Sequence, residues 1–165
     1  MIAGLLAAVA LAVCYPPPVQ APISVPFAQP ACSFCPGHRG LEYQLSPGTP
    51  VQIVAPGVVT FAGMVAGIRY VVVLQTDGMR ATYGMLQTAT VSRGEAVVAG
   101  QVAGYGSQRL YFGLRDAADH PVDPTLLVGR LVGRARLLPA NGDAQRRAPP
   151  PRLTCTATGS MVLPV

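Results

Sequence analysis

Two short stretches carry side chains able to do chemistry together. In Gly37-His38-Arg39-Gly40-Leu41-Glu42 an imidazole and a carboxylate stand four positions apart, and in Arg109-Leu110-Tyr111-Phe112-Gly113-Leu114-Arg115 a guanidinium and a phenol alternate. An imidazole with a carboxylate suits a borderline-hard cation such as Zn²⁺. In a straight strand His38 and Glu42 would share a face but lie about 13 Å apart at roughly 3.3 Å per residue. A shared ion therefore requires a bend, and Gly40 is where the backbone can make one. Two ligands alone do not make a site. Cys32 and Cys35 have C-x-x-C spacing, yet no second pair exists and Pro36-Gly37 follow at once, which excludes a zinc ribbon and a thioredoxin-type helix start. Ser107 has no base within a nucleophile motif, Gly104-Tyr105-Gly106 lacks the context of a phosphate loop, and His120, between Asp119 and Pro121, reads as a surface-loop histidine.

The elements that must position these residues are strands. Val51–Val54, Val58–Ala62, Tyr70–Gln75, Arg80–Tyr83, Ala96–Val102 and Arg109–Leu114 are β-rich runs separated by turn residues. Ala55-Pro56-Gly57 suits a type II turn and Asp77-Gly78 a two-residue hairpin. Tyr70-Val71-Val72-Val73-Leu74 reads as a buried strand. The expected fold is an antiparallel all-β domain of about 100 residues, a β-sandwich, with Arg130–Leu138 as a closing strand.

Composition bounds the rest. Of 165 residues, 18 are Gly and 17 Pro, which argues against a helical bundle, and 50% hydrophobic with 12% charged residues at mean hydropathy +0.40 excludes a disordered chain. Ile2–Cys14 falls short of the roughly 18 apolar residues of a transmembrane span, so a single N-terminal anchor is the most the chain can offer a membrane. The run instead has the apolar core of a secretory signal, with Leu11-Ala12-Val13-Cys14 loosely imitating a lipidation box. The net charge of +5 is uneven: the first 129 residues balance six Arg against six acids, while six Arg and only Asp143 follow. With no Lys anywhere, the excess reads as a solvated tail, and nucleic acid is not an expected partner. The expected organisation is 1–14 signal-like, 15–36 a Pro-rich linker, 37–139 the β domain and 140–165 a flexible tail. With Cys14 in or beside the signal, Cys32, Cys35 and Cys155 remain, and in an oxidising compartment either of the first two could bridge Cys155.

The ordered motifs resemble the LytM or lysostaphin-type metallopeptidases, which have a duplicated hybrid motif fold. Gly37–Glu42 is similar to the family's H-x-x-x-D stretch, and Pro47–Val51 with Ala55–Gly63 to its glycine-rich hairpin. Tyr83-Gly84-Met85-Leu86 falls where the family has Y-x-H-L. Val91–Val97 and Ala99–Gly104 resemble its "V-x-x-G-x-x-V-x-x-G-Q-x-I-G" stretch, Arg109–Phe112 its H-L-H-F, and Val122-Asp123-Pro124 its closing V-D-P. The resemblance covers about 90 residues. It implies a bacterial, secreted or envelope-associated zinc endopeptidase of peptidoglycan, with His38, Glu42 and Tyr111 at the metal positions and Met85 and Arg109 at the two catalytic histidine positions. A neutral phenol is a poor zinc ligand, Met85 cannot carry a proton, and Arg109 remains cationic. The expectation is a degenerate member with no intact catalytic residue and no cofactor, zinc being the alternative, that binds peptidoglycan or a cell-wall hydrolase. If the family geometry holds, Arg109 pairs with Glu42 in place of the metal charge, and Tyr83, Tyr105 and Tyr111 are candidates to line a groove.

Overall fold

The computed structural model describes residues 14–32, 35–133 and 151–155. Its strands are β1 (Ile23–Val25), β2 (Leu41–Gln44), β3 (Pro50–Gln52), β4 (Gly57–Val65), β5 (Ile68–Gln75), β6 (Arg80–Ala89), β7 (Ala96–Val97), β8 (Val102–Arg115), β9 (Pro121–Val122), β10 (Arg130–Val132) and β11 (Arg152–Thr154), with a 3-10 turn at Pro124–Leu126. The main sheet runs β1-β2-β8-β6-β5-β4-β7, and β3 and β9 also pair with β8. All of its pairings are antiparallel. The 14-residue β8 organises the fold: β6 follows one edge, while the other edge takes β3 on its first half and β2 on its second.

The period-two pattern decides which face is core. Leu110, Phe112 and Leu114 of β8 are fully buried, as are Val71 and Val73 of β5 and Tyr83 of β6. Each large apolar side chain withdrawn in this way contributes roughly 1.5–3 kcal/mol. The intervening residues, including Tyr70, Arg109 and Tyr111, face outward. The all-β antiparallel expectation thus holds.

Local details differ from the sequence reading. β4 and β5 extend to a hairpin whose loop, Ala66-Gly67, has positive φ at both residues (48° and 79°), the requirement of a type I′ turn. The Asp77-Gly78 turn is a hairpin with three loop residues, Thr76-Asp77-Gly78: the Gly78 amide donates to the Gln75 carbonyl at 3.1 Å and the Gln75 amide to the Met79 carbonyl at 2.8 Å. Gly57 does not have positive φ. It is needed because a Cβ there would lie 2.2 Å from the Leu74 carbonyl oxygen on the paired strand. Ala96–Val102 is divided, because Gly100 takes φ of 84° between β7 and β8.

The stretch expected as a linker is part of the packed domain. Tyr15, Pro18 and Val19 are buried, the Gln52 amide donates to the Pro18 carbonyl at 2.8 Å, and the Gln44 amide to that of Pro22 at 3.0 Å. Tyr15 exchanges backbone hydrogen bonds with Leu127 and Gly129, and its hydroxyl donates to Asp77. Prolines keep the segment extended, and its carbonyls accept hydrogen bonds from β3 at Gln52 and from β2 at Gln44. The far end returns as well, since Arg152–Thr154 pairs with Arg130–Val132. This corrects the expected disulfide: Cys155 bonds to Cys14 across 141 residues of sequence, and Cys32 bonds to Cys35. The Tyr15 bridge and the β10–β11 pair set Cys14 and Cys155 side by side, with Cα atoms 6.0 Å apart. The tight turn in which the Cys35 amide donates to the Cys32 carbonyl brings the other two together. The apolar stretch up to residue 13, the continuation of the expected strand beyond Gly133 and residues 140–150 and 156–165 of the tail lie outside the described residues.

Candidate functional site

The site lies on the outward face of the sheet where β2 crosses β8. Glu42 is opposite Tyr111 and Gln44 opposite Arg109 in the ladder, so Glu42, Arg109 and Tyr111 all project from that face. His38 joins them because the chain bends at Arg39-Gly40 after a two-way backbone bridge between His38 and Ala28. Gly40 permits the bend's packing: a Cβ there would meet the Phe112 carbonyl at 2.5 Å and the Tyr111 ring at 2.8 Å. In a straight strand the two residues would stand about 13 Å apart along the backbone; with the bend, His38 Nε2 lies 3.4 Å from Glu42 Oε1.

Glu42 is the hub. Its side chain is only 12% exposed, and its Oε2 accepts from Arg109 Nη1 at 3.1 Å. The guanidinium is itself 56% exposed. His38 Nδ1 donates to the Pro26 carbonyl at 3.1 Å. Its Nε2 faces Glu42 within ion-pairing distance but outside hydrogen-bond alignment, and is buried without a partner among the described residues. Tyr111 lies flat between Gly40 and Gly113, edge-on to the His38 ring with centroids 5.8 Å apart, and its hydroxyl donates to the Arg39 carbonyl at 3.1 Å. Burial pushes the Tyr111 phenol above its ordinary pKa, with Tyr70 and Glu42 adding to the rise while Arg115 and Arg39 oppose it.

Beside Arg109 opens a cleft of about 560 Å³, bordered by Pro47, Ile68, Gln87, Ser107, Gln108 and by Met85. Met85 holds φ of 63° at a register shift in β6, a left-handed conformation that costs a non-glycine residue about 1–3 kcal/mol. Ser107 Oγ donates to its carbonyl at 3.4 Å.

The structure does not place every candidate here. Tyr83 is fully buried against Phe112, at 5.3 Å between ring centroids, and its hydroxyl accepts from the Val54 amide at 2.9 Å; it is core and cannot line a groove. Tyr105 is 40% exposed but does not border the cleft beside Arg109. His120 stands in an exposed turn beside Asp116. Sequence reasoning missed Tyr70, whose ring covers Gly84 on the neighbouring strand within 2.5 Å of where a Cβ would be. Strict alternation with the buried Val71 and Val73 was the signal that could have turned it outward. The Pro26 carbonyl that orients His38 has no sequence signal.

These residues do not fit a catalytic zinc. His38 Nε2 and Glu42 Oε1 face one another as two donor atoms, with Nδ1 held by the Pro26 carbonyl as backbone acceptors hold ligating histidines. The third position is a protonated phenol already committed to a backbone carbonyl. A fixed guanidinium holds the other carboxylate oxygen and repels any cation placed beside it. Among the described residues no three His, Cys, Asp or Glu side chains converge.

The family profile described as Peptidase family M23 matches residues 36–124, which include His38, Glu42, Met85, Arg109 and Tyr111. The chain belongs to peptidase family M23. Solved structures share the fold. Helicobacter pylori Csd3, in its hexagonal crystal, is 25% identical with a TM-score of 0.60, over 68% of this chain and 32% of that one. The catalytic domain of the antimicrobial peptidase lysostaphin from Staphylococcus simulans is 22% identical with a TM-score of 0.55, over 63% and 89%. A zinc-containing peptidase from Vibrio cholerae is 24% identical with a TM-score of 0.56, over 65% and 37%. The chain therefore spans about a third of the length of Csd3. Comparison with curated protein sequences returned no match. In this M23 domain the outward face of β2 and β8 carries Glu42, Arg109 and Tyr111.

Proposed function

We propose that this M23 domain is a cell-envelope module that binds peptidoglycan, or contacts a wall hydrolase, without cutting. The observation that carries the reading is the Arg109–Glu42 contact of 3.1 Å, a fixed organic cation where a peptidase needs an exchangeable inorganic one. Two disulfides and an apolar run ahead of the domain accord with an exported protein. The family relation supports the wall as target.

Purified protein incubated with insoluble peptidoglycan should sediment with it, contain zinc well below one equivalent by elemental analysis, and release no soluble fragments. Arg109→His should leave hydrolysis undetectable, because Tyr111 and Met85 are unchanged. Stoichiometric zinc lost on His38→Ala, or wall cleavage regained by Arg109→His alone, refutes the proposal. One observation favours the second reading, a zinc endopeptidase with an atypical site: His38 Nε2 is buried, makes no hydrogen bond among the described residues and lies 3.4 Å from a carboxylate oxygen. Zinc titration of the wild type beside His38→Ala separates the two.

A further inference from the structure

The cleft beside Arg109 has a chemistry of its own. Arg109 offers five N–H donors, and among the described residues only Nη1 is engaged, by Glu42. Glu42 thereby anchors one side of the guanidinium while more than half of the side chain is open to solvent, so its remaining donors are presented without the cost of ordering a free arginine. Around it the cleft mixes two further kinds of surface: Ile68, 36% exposed, and Met85 give an aliphatic wall, and the Gln87 and Gln108 amides can each donate and accept. The left-handed backbone at Met85 is a strained feature on the wall of this cleft, where strain often accompanies ligand contact.

A single guanidinium without a second cation in the lining suits a singly charged carboxylate better than a doubly charged phosphate. An aliphatic wall with two side-chain amides suits the alkyl side chain and backbone that carry such a group in a peptide. We infer that this cleft binds the free C-terminal carboxylate of a short peptide, with Arg109 as the carboxylate-reading residue. The inference rests on the reading of the domain as a wall-binding module and adds the ligand chemistry of that site.

The test uses the full chain, with N-acetyl-trialanine and its C-terminal amide as probes in calorimetric or NMR titration. The acid should bind about tenfold more tightly than the amide, as loss of a charge-assisted hydrogen bond predicts. Arg109→Gln should reduce acid binding to the level of the amide. Ile68→Glu, at an exposed position where folding is not at risk, should do the same by repulsion. Equal binding of acid and amide, a preference that survives both substitutions, or no binding of either probe while the wall still sediments the protein overturns the inference and leaves the wall-binding reading intact. A preference for the acid in a protein that the wall does not sediment supports the cleft and refutes the wall reading instead. Failure of both binding assays refutes both.

Discussion

Removal of the Arg109 guanidinium by Arg109→Gln should destabilise the domain by about 1–2 kcal/mol. Breaking a fully buried ion pair by deleting one partner costs about 3–5 kcal/mol, whereas exposed pairs are worth about 0–1 kcal/mol. This pair is asymmetric: the carboxylate is 12% exposed and the guanidinium 56%. Solvent already screens one partner, so the upper figure must be discounted, while the buried carboxylate keeps the cost above the surface value. For a domain of this size each kcal/mol shifts the melting temperature by roughly 3–5 °C, giving an expected fall of about 3–10 °C by scanning calorimetry. Glu42→Gln should recover part of the loss in the Arg109→Gln background, because it removes the charge left unpaired, with a coupling energy of about 1 kcal/mol in the double-mutant cycle. An unchanged melting temperature for Arg109→Gln, with zero coupling to Glu42, would refute the claim that the guanidinium compensates the buried carboxylate.

Tyr83→Phe should cost about 1–3 kcal/mol in urea unfolding, because the Val54 amide loses its buried acceptor; a cost near zero would mean that another acceptor takes over. Gly57→Ala should cost at least about 1–3 kcal/mol by the same measurement, since its Cβ would meet a backbone carbonyl that cannot swing aside. Burial raises the phenols of Tyr15, Tyr83 and Tyr111 and pushes Tyr43 up to about 12. Folded-state pKa values above the unfolded value of about 10 give stability that is complete below pH 10 and lost as pH rises through the folded values. The melting temperature should therefore fall progressively above pH 10, and phenolate absorbance of these tyrosines should appear together with unfolding; full ionisation of all six tyrosines at pH 10–11 in a folded protein contradicts their burial.

Much of the architecture was legible because strand alternation is local. Val71, Val73, Leu110, Phe112 and Leu114 occupy the inward parity that the core requires, and turn residues mark the hairpins. What escaped was either long-range or dependent on contact. The 15–36 segment looks like a linker because prolines prevent regular pairing, yet Tyr15, Pro18 and Val19 pack into the domain. The Cys14–Cys155 bond depends on where two segments 141 residues apart meet, which spacing does not encode. Gly57 reads as a turn residue and proves to be a point of close strand approach. Tyr83 looked available to a groove because composition does not distinguish the two faces of β6.

For the site itself, sequence determined the chemistry: His38, Glu42, Arg109 and Tyr111 are an imidazole, a carboxylate, a permanent cation and a weakly acidic phenol whatever the fold, and Met85 carries no proton to transfer. Only tertiary structure decided that they meet. The β2–β8 register sets Glu42 across from Tyr111, the bend at Arg39-Gly40 carries His38 to 3.4 Å from the carboxylate, and the flat packing of Tyr111 commits its hydroxyl to a backbone carbonyl. The physical reason is range: side-chain acidity and charge are properties of single residues, whereas ion pairing, desolvation and ligand geometry depend on distances that strands far apart in the chain establish when they pair.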